Sequence, residues 1–484
     1  MASVADLPAA AAASRGDHPA IIDPDGAVIT WSQVERRIAE AAGGLVAAGL
    51  APGDPAGVML PNGADFAVGY WGVLRAGGTV VPINPAYTST ERDHLLTDSG
   101  ARWVLTGGEP DLPQGVAPLD PSNLTGELVG SGDVDPASCA VICYTSGTTG
   151  RPKGARLSHA NLLANLDAFS DLPLLTVRPD DVLLGLLPFF HVFGLNVVLN
   201  AAARSGCTVA AIDRFSPTGT AAQMAATNVT VAYGAPPVFA AFAALPGDIE
   251  LPALRAAVSG ADALPLTVFN RFAQRFDLEI VEGYGLTETS PVLASNAAAH
   301  AARGGTVGIA LPGVDLRLLD PTGQEVAAGQ AGEIYARGPN VFEGYHGRPA
   351  ETAEVLADGW FATGDLGTFD QDGYLAIAGR LKEMIIVSGF NVYPREVEDA
   401  LAGHPDVVDA AVLGAPDDRT GERVQAAVVL RPGSDATADD LIDHARERLA
   451  RYKLPRDLRI LEALPRLPTG KVARPALRRA LDLR

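Results

Sequence analysis

From about residue 20 to 290, short apolar runs alternate with longer stretches whose apolar positions recur at helical spacing. AGVML (56–60) precedes a helical stretch through Leu74, and TVVPI (79–83), a second helical stretch and RWVLT (102–106) follow. The same rhythm returns in DVLLGLLP, CTVAAID (207–213), VTVAYG, LRAAVSG and LEIVEGYG (278–285), with helical stretches between them. Strands separated by helices of roughly 10–15 residues predict parallel sheets covered by helices.

The pattern changes after about Gly304. VDLRLLDPTGQEV, GEIYARG and GWFATGDLGTFDQDGYLAIAG read as short strands joined by turns. Asp320-Pro-Thr-Gly323 and Asp370-Gln-Asp-Gly373 fit hairpin turns, so a small β-rich subdomain is expected at about 304–380. Beyond it, strand MIIVSG, helix REVEDALAG, strands DAAVLGAPD and RVQAAVVL, helix DDLIDHARERLA and a basic tail predict a compact α+β module. The expected fold class is therefore α/β. A large N-terminal domain (1–380) of two helix-covered sheets plus the β-rich subdomain precedes a small α+β C-terminal domain (381–484), with the boundary at Arg380-Leu381-Lys382.

Composition narrows the choice of partners. Hydrophobic residues make up 47% and charged residues 19%, a globular balance. A net charge of -20 argues against nucleic acid or an anionic membrane as the main partner. Cys139 and Cys143, four apart on a strand-like run, would lie roughly 13 Å apart, too far for a disulfide. With Cys207 they are expected as reduced thiols. The opening MASVADLPAAAAASRGD lacks the pattern of a signal peptide. The apolar run Val182–Ala203 carries Pro188, His191, Asn196 and Asn200, which favours a strand, a loop and a core helix over a membrane span. A cytoplasmic chain without a transmembrane segment is expected, and nothing in the sequence sets an oligomeric state.

YTSGTTGRPKG (144–154) gathers three glycines, four serine or threonine hydroxyls and two cations. Thr145, Ser146, Gly147, Thr148, Thr149 and Gly150 follow a strand-like run, with Lys153 close behind. Glycines let backbone N–H groups approach an anion, hydroxyls add donors, and the lysine adds charge. Ser158 can cap the helix that follows. The G-x-x-x-x-G-K-[ST] arrangement of P-loop kinases is absent, because Pro152 precedes and Gly154 follows Lys153. The G-x-G-x-x-G dinucleotide pattern is absent as well. A phosphate-binding loop of another kind is expected.

Six further motifs follow in order: LPFFHVFG (187–194), SGADAL (259–264), EGYGLTETSP (282–291), GWFATGDL (359–366), GRLKEMIIVSGFNVYPREVE (379–398) and PTGK (468–471). With the first, and over nearly the whole chain, they resemble the adenylate-forming superfamily of acyl-CoA synthetases, firefly luciferases and peptide-synthetase adenylation domains. The resemblance is nearest to fatty-acid–CoA and coumarate–CoA ligases. It implies an ATP-dependent, AMP-forming acid–thiol ligase using ATP, Mg2+ and coenzyme A, with a mobile C-terminal domain.

It also implies roles. Lys471 would bridge the substrate carboxylate and the α-phosphate, Thr287 would contact that phosphate, and Glu288 would hold Mg2+. Tyr284 would lie against adenine, with Gly260, Ala261, Glu282 and Gly283 around the nucleotide. Asp365 would accept the ribose hydroxyls, a task for an acceptor-only group, and Arg380 would add a second contact. Lys382 matches the hinge on which the C-terminal domain exchanges Lys471 for the loop at Ser388 and Gly389, beside a pantetheine tunnel. Arg214 matches a basic position near the CoA nucleotide. Plant coumarate ligases carry lysines where Ile386 and Ser388 stand, so this chain departs from them there.

The acid is expected among His191, Phe193, Val197, Ala235, Gly260, Gly283, Gly285, Pro291 and Val292, with His191 gating the carboxylate or serving as a core histidine. Malonate ligases place an arginine where Gly283 stands, and a buried second carboxylate needs such a partner. An uncharged acyl group is therefore expected, a medium- or long-chain fatty acid first and an aryl or cinnamate-type acid second. LPFFHVFG offers no aspartate for an α-ammonium, which disfavours amino acids. No carrier domain follows Lys471 in this sequence, so CoA is the expected acceptor, with a separate carrier protein as the alternative. A sensor that had lost catalysis would show decay at Lys471, Glu288 or Asp365, and all three are intact.

Overall fold

The fold was analysed in a computed structural model, which describes residues 3–108, 110–127, 129–130, 134–145, 152–247, 249–417, 419–466 and 471–483. Among these, a nine-stranded and a seven-stranded sheet form the bulk of the N-terminal region. In the larger, Val182–Gly185, Val231–Gly234, Ala256–Ser259 and Ile280–Gly285 run parallel in neighbouring positions. In the smaller, Pro55–Met59 lies parallel between Thr79–Pro82 and Trp103–Thr106. Every residue of Val231–Gly234 and Ala256–Ser259 is buried, as a strand covered on both faces requires.

Antiparallel edges modify both sheets near the motifs. Cys139–Thr145 returns directly as Lys153–Ser158, with Thr145 opposite Lys153. Ile280–Gly285 returns as Val292–Ser295, with Gly283 opposite Ser295 and Gly285 opposite Val292. Ser158 caps the helix His159–Phe169 as expected, its Oγ accepting from Asn161 N at 3.1 Å. Asn161 then donates to the carbonyls of Pro339 and Val341, at 2.8 and 2.9 Å, and so anchors this helix to the β-rich region.

The apolar run Val182–Ala203 divides as its polar residues predict, into the strand Val182–Gly185, a loop and buried helix. Its first helical segment, Phe193–Asn200, is a π-helix buried at every residue. Asn196 Nδ2 donates to Leu162 O at 3.1 Å and Ser290 O at 2.7 Å, locking this helix to the turn after Glu288. Among the described residues no helix is long and apolar enough to cross a membrane, and Cys139, Cys143 and Cys207 form no disulfide.

The β-rich region is built on the antiparallel pairs of Asp315–Leu319, Gly332–Arg337, Trp360–Phe369 and Leu375–Arg380. The C-terminal module has its own core, with Ile385, Val392, Val397, Leu401, Val412 and Val424 at its centre. Two of its elements differ from the sequence reading. MIIVSG is one arm of a hairpin, Ile385–Val387 against Phe390–Val392. Ser388 (φ 52°) and Gly389 (φ 84°) supply the two left-handed positions of a tight turn. The basic tail ends in the helix Arg474–Ala480, whose Leu477, with the following Leu481, packs on Ala411, Leu413, Ala427 and Leu464.

Candidate active site

The site lies past the carboxyl ends of the parallel strands, where α/β sheets place their ligand crevices. Ile280–Gly285 carries Glu282 and Tyr284 into it. Tyr284 OH donates to Asp365 Oδ2 at 2.8 Å. Arg380 Nε lies 3.3 Å from Asp365 Oδ1, and these two residues are direct partners across the antiparallel pair. Asp365, only 7% exposed, thus offers a fixed carboxylate beside an aromatic ring.

Glu282 is buried, and its Oε1 accepts from Leu264 N at 2.8 Å. Burial pushes its carboxyl up to about 8, against the opposing pull of that hydrogen bond. The bond also ties the SGADAL segment, where Ala261 has φ 71°, to the Tyr284 strand.

Glu288 sits in the 3-10 turn Thr287–Thr289, which precedes a cis Ser290–Pro291 bond. Phe342 N donates to Glu288 O at 2.8 Å, and Asn340 Nδ2 to Thr289 O at 2.8 Å. The Glu288 side chain is buried and accepts from Tyr345 OH at 2.9 Å. Burial raises its pKa, so a cation facing it would relieve an unfavourable charge. Among the described residues, no group of three or more His, Cys, Asp or Glu could hold a metal by itself. One buried carboxylate does fit Mg2+, which keeps waters and substrate phosphate oxygens as its other ligands.

Lys471 comes from the C-terminal module and meets this site. Burial, and next the charge of Arg380, lower its pKa, while Asp262, Asp365 and Glu288 pull it up. Its charge also reaches His191, which burial first and Lys471 second push down to about 4. His191 is thus neutral near pH 7, and its Nδ1 accepts from Phe193 N at 3.3 Å. The charge of Lys471, on the C-terminal module, thus acts on Glu288, Asp365 and Arg380.

The acyl-pocket residues separate by what their size serves. A Cβ on Gly285 would stand 1.7 Å from Pro291 O, so the close return of the chain alone demands glycine. A Cβ on Gly260 would meet the Phe193 ring at 2.8 Å. On Gly283 it would come no nearer than 3.7 Å to a neighbour, an ordinary contact that leaves room for a Cβ. Phe193, Val197 and Ala235 are buried, and Pro291 and Val292 follow the Glu288 turn.

Other expected site residues stand elsewhere. Ser388 and Gly389 form an exposed hairpin tip whose Ser388 N donates to Thr420 O at 2.8 Å. Arg214 is exposed. Lys382 lies in the 3-10 turn Leu381–Glu383, between the β-rich strands and the C-terminal hairpin. Thr145 and Lys153 are paired across strands, while Ser146, Gly147, Thr148, Thr149 and Gly150 lie outside the described residues.

Sequence reading missed Tyr345 and Asp262. Tyr345 follows Glu288 by 57 residues, and no local spacing links them. Asp262 stood inside SGADAL, where a carboxylate among small residues was the available signal.

Comparison with known proteins gives the family. The AMP-binding enzyme family matches residues 8–346, and the AMP-binding enzyme C-terminal domain matches 396–471. A feruloyl-CoA synthase from an Amycolatopsis species is 37% identical over 96% of this chain and 97% of its own length. A long-chain-fatty-acid–CoA ligase of Bacillus subtilis (strain 168) is 34% identical over 88% of this chain and 85% of its own. The crystal structure of ATP-bound MatB from Rhodopseudomonas palustris superposes with a TM-score of 0.90 at 33% identity, covering 98% of each chain. With both family domains matched in order, the chain belongs to the AMP-binding, adenylate-forming enzyme superfamily, as an ATP-dependent, AMP-forming acid–thiol ligase.

Proposed function

We propose that the chain joins an uncharged carboxylic acid to coenzyme A in two steps at one site. The observation that carries this reading is the cluster of Tyr284, Asp365 and Arg380 near the buried Glu288, with the charge of Lys471 from the C-terminal module acting on it. In the first step, a carboxylate oxygen attacks the α-phosphorus of ATP, and the bond to the bridging oxygen of pyrophosphate breaks. Two anions meet there, so the step needs fixed positive charge. Lys471 supplies it, with Thr287 as a further donor to the α-phosphate. Tyr284 and Asp365 hold adenine and ribose, Arg380 orients Asp365, and Lys153 faces the departing phosphates. Mg2+, held by Glu288, would neutralise phosphate charge when bound.

In the second step, the CoA sulfur attacks the acyl carbon, AMP leaves, and the thiol proton goes to solvent. The Ser388–Gly389 hairpin replaces Lys471 by rotation about Lys382, and Arg214 meets the CoA nucleotide. Gly389 leaves room for a thin pantetheine arm.

For the acid we favour an aryl, cinnamate-type substrate with a polar ring substituent. Tyr233 is fully buried, its ring edge-on to Phe193 with centroids 6.4 Å apart. It shares a sheet face with Val258 and Val281, and its hydroxyl has no hydrogen-bond partner among the described residues. Leaving a buried hydroxyl unpaired is costly, and a ligand oxygen would relieve it. The full-length similarity to the feruloyl-CoA synthase supports the same reading. A medium- or long-chain fatty acid is the second reading, favoured by the absence of a charged side chain at Gly283 and by the similarity to the long-chain-fatty-acid–CoA ligase.

The test is pyrophosphate release over hydroxylated cinnamates, plain cinnamates and straight-chain acids, with and without CoA. Hydroxylated cinnamates are expected to lead, with Tyr233→Phe erasing their advantage over plain cinnamates. A lead by straight-chain acids would select the second reading, and thioester formation only with a carrier protein would remove CoA as acceptor.

A further inference from the structure

Lys153 already has a protein counter-ion. Its Nζ contacts Glu351 Oε2 and lies 5.2 Å from the centroid of the Tyr345 ring. The other Glu351 oxygen is 3.2 Å from Arg348 Nη1, and Arg348 Nη2 is 3.2 Å from Asp98 Oδ1. Asp98 Oδ2 accepts from Tyr144 OH at 2.8 Å. The series Tyr144–Asp98–Arg348–Glu351–Lys153 thus starts and ends on the paired strands Cys139–Thr145 and Lys153–Ser158. Two anions alternate with two cations along it, so Lys153 carries no unbalanced charge.

A polyphosphate can use Lys153 fully only by displacing Glu351. Displacement is feasible, since the side chains are 25% and 32% exposed and such a pair is weak in solvent. We propose that Glu351 is a displaceable counter-ion of Lys153, so that it sets how tightly ATP and pyrophosphate are held relative to AMP. This rests on the reading that Lys153 faces the departing phosphates. Glu351 lowers the fraction of Lys153 ready for ligand, which weakens apparent affinity by that fraction. By pairing again with Lys153, it also eases the departure of pyrophosphate. AMP lacks the β- and γ-phosphates and should be indifferent to the exchange.

The experiment is calorimetric titration of the full chain with ATP, pyrophosphate and AMP in Mg2+ buffer, using wild type, Glu351→Gln, Glu351→Asp, Lys153→Ala and the double variant Glu351→Gln/Lys153→Ala. Glu351→Gln should tighten ATP and pyrophosphate by about two- to fivefold and leave AMP unchanged. Glu351→Asp should return towards wild type. The double variant should match Lys153→Ala, which weakens ATP but not AMP. The proposal is overturned if Glu351→Gln weakens ATP and AMP alike, as a lost structural brace would. Tightening that persists without Lys153 also overturns it, because only the general field would then be acting. If Lys153→Ala weakens ATP while Glu351→Gln changes nothing, the counter-ion role fails and the phosphate-facing role of Lys153 stands. If Lys153→Ala leaves ATP unchanged, both fail.

Discussion

Asp365 and Arg380 stand opposite each other on neighbouring antiparallel strands, their charged groups 3.3 Å apart, while Tyr284 reaches Asp365 from the larger sheet at 2.8 Å. The carboxylate is held from two sides before any ligand arrives. Preorganisation of this kind spares a ligand the cost of ordering its partner.

Asp365→Asn should therefore weaken AMP and ATP to a similar extent, by about tenfold, since a charge-assisted acceptor becomes a neutral one. Equilibrium binding of both nucleotides checks this. Loss confined to ATP would place Asp365 at the phosphates and not at the ribose.

Glu282 makes stability fall with rising pH. Its folded pKa, about 8, lies above the ordinary carboxylate value of 4.5, so between those limits the folded state binds a proton that the unfolded state has released. Stability from this group is complete below the unfolded value and is lost as pH rises towards 8, with a limiting slope of about 1.4 kcal/mol per pH unit. Glu282→Gln should flatten the fall of melting temperature between pH 5 and 8. An unchanged slope would mean that Glu282 ionises normally in the fold.

Gly283 and Gly285, two residues apart, should respond oppositely. Gly285→Ala forces a Cβ against the Pro291 carbonyl and should cost about 3 kcal/mol of stability, read by denaturant unfolding. A Cβ at Gly283 makes only ordinary contacts, so Gly283→Arg should fold and lose activity on uncharged acids. Equal activity of Gly283→Arg on those acids would remove Gly283 from the acyl pocket.

The parts legible in the sequence were those whose physics is local. Buried parallel strands declared themselves as apolar runs, as in VTVAYG and LRAAVSG. Ser158 was readable as a cap because its partner Asn161 is three residues away. Asp365 and Arg380 were named through motifs, and cross-strand pairing explains why two such distant motifs belong together. What stayed hidden was long-range or masked by charge. The helix Arg474–Ala480 read as a basic tail because its arginines outnumber Leu477 and Leu481, whose four-residue spacing and the preceding Pro475 were the usable signals. Lys153 looked like an available cation, since its Glu351 partner lies on a remote helix.

The most direct test of the two-step account is Lys471→Ala, assayed in separate half-reactions. Acid-dependent ATP–pyrophosphate exchange should fall by about a thousandfold, as for removal of a principal transition-state charge. Thioester formation from supplied acyl-adenylate and CoA should stay within a few fold of wild type. Exchange that survives the substitution, or thioester formation that falls with it to the same degree, would contradict a lysine reserved for the adenylating step.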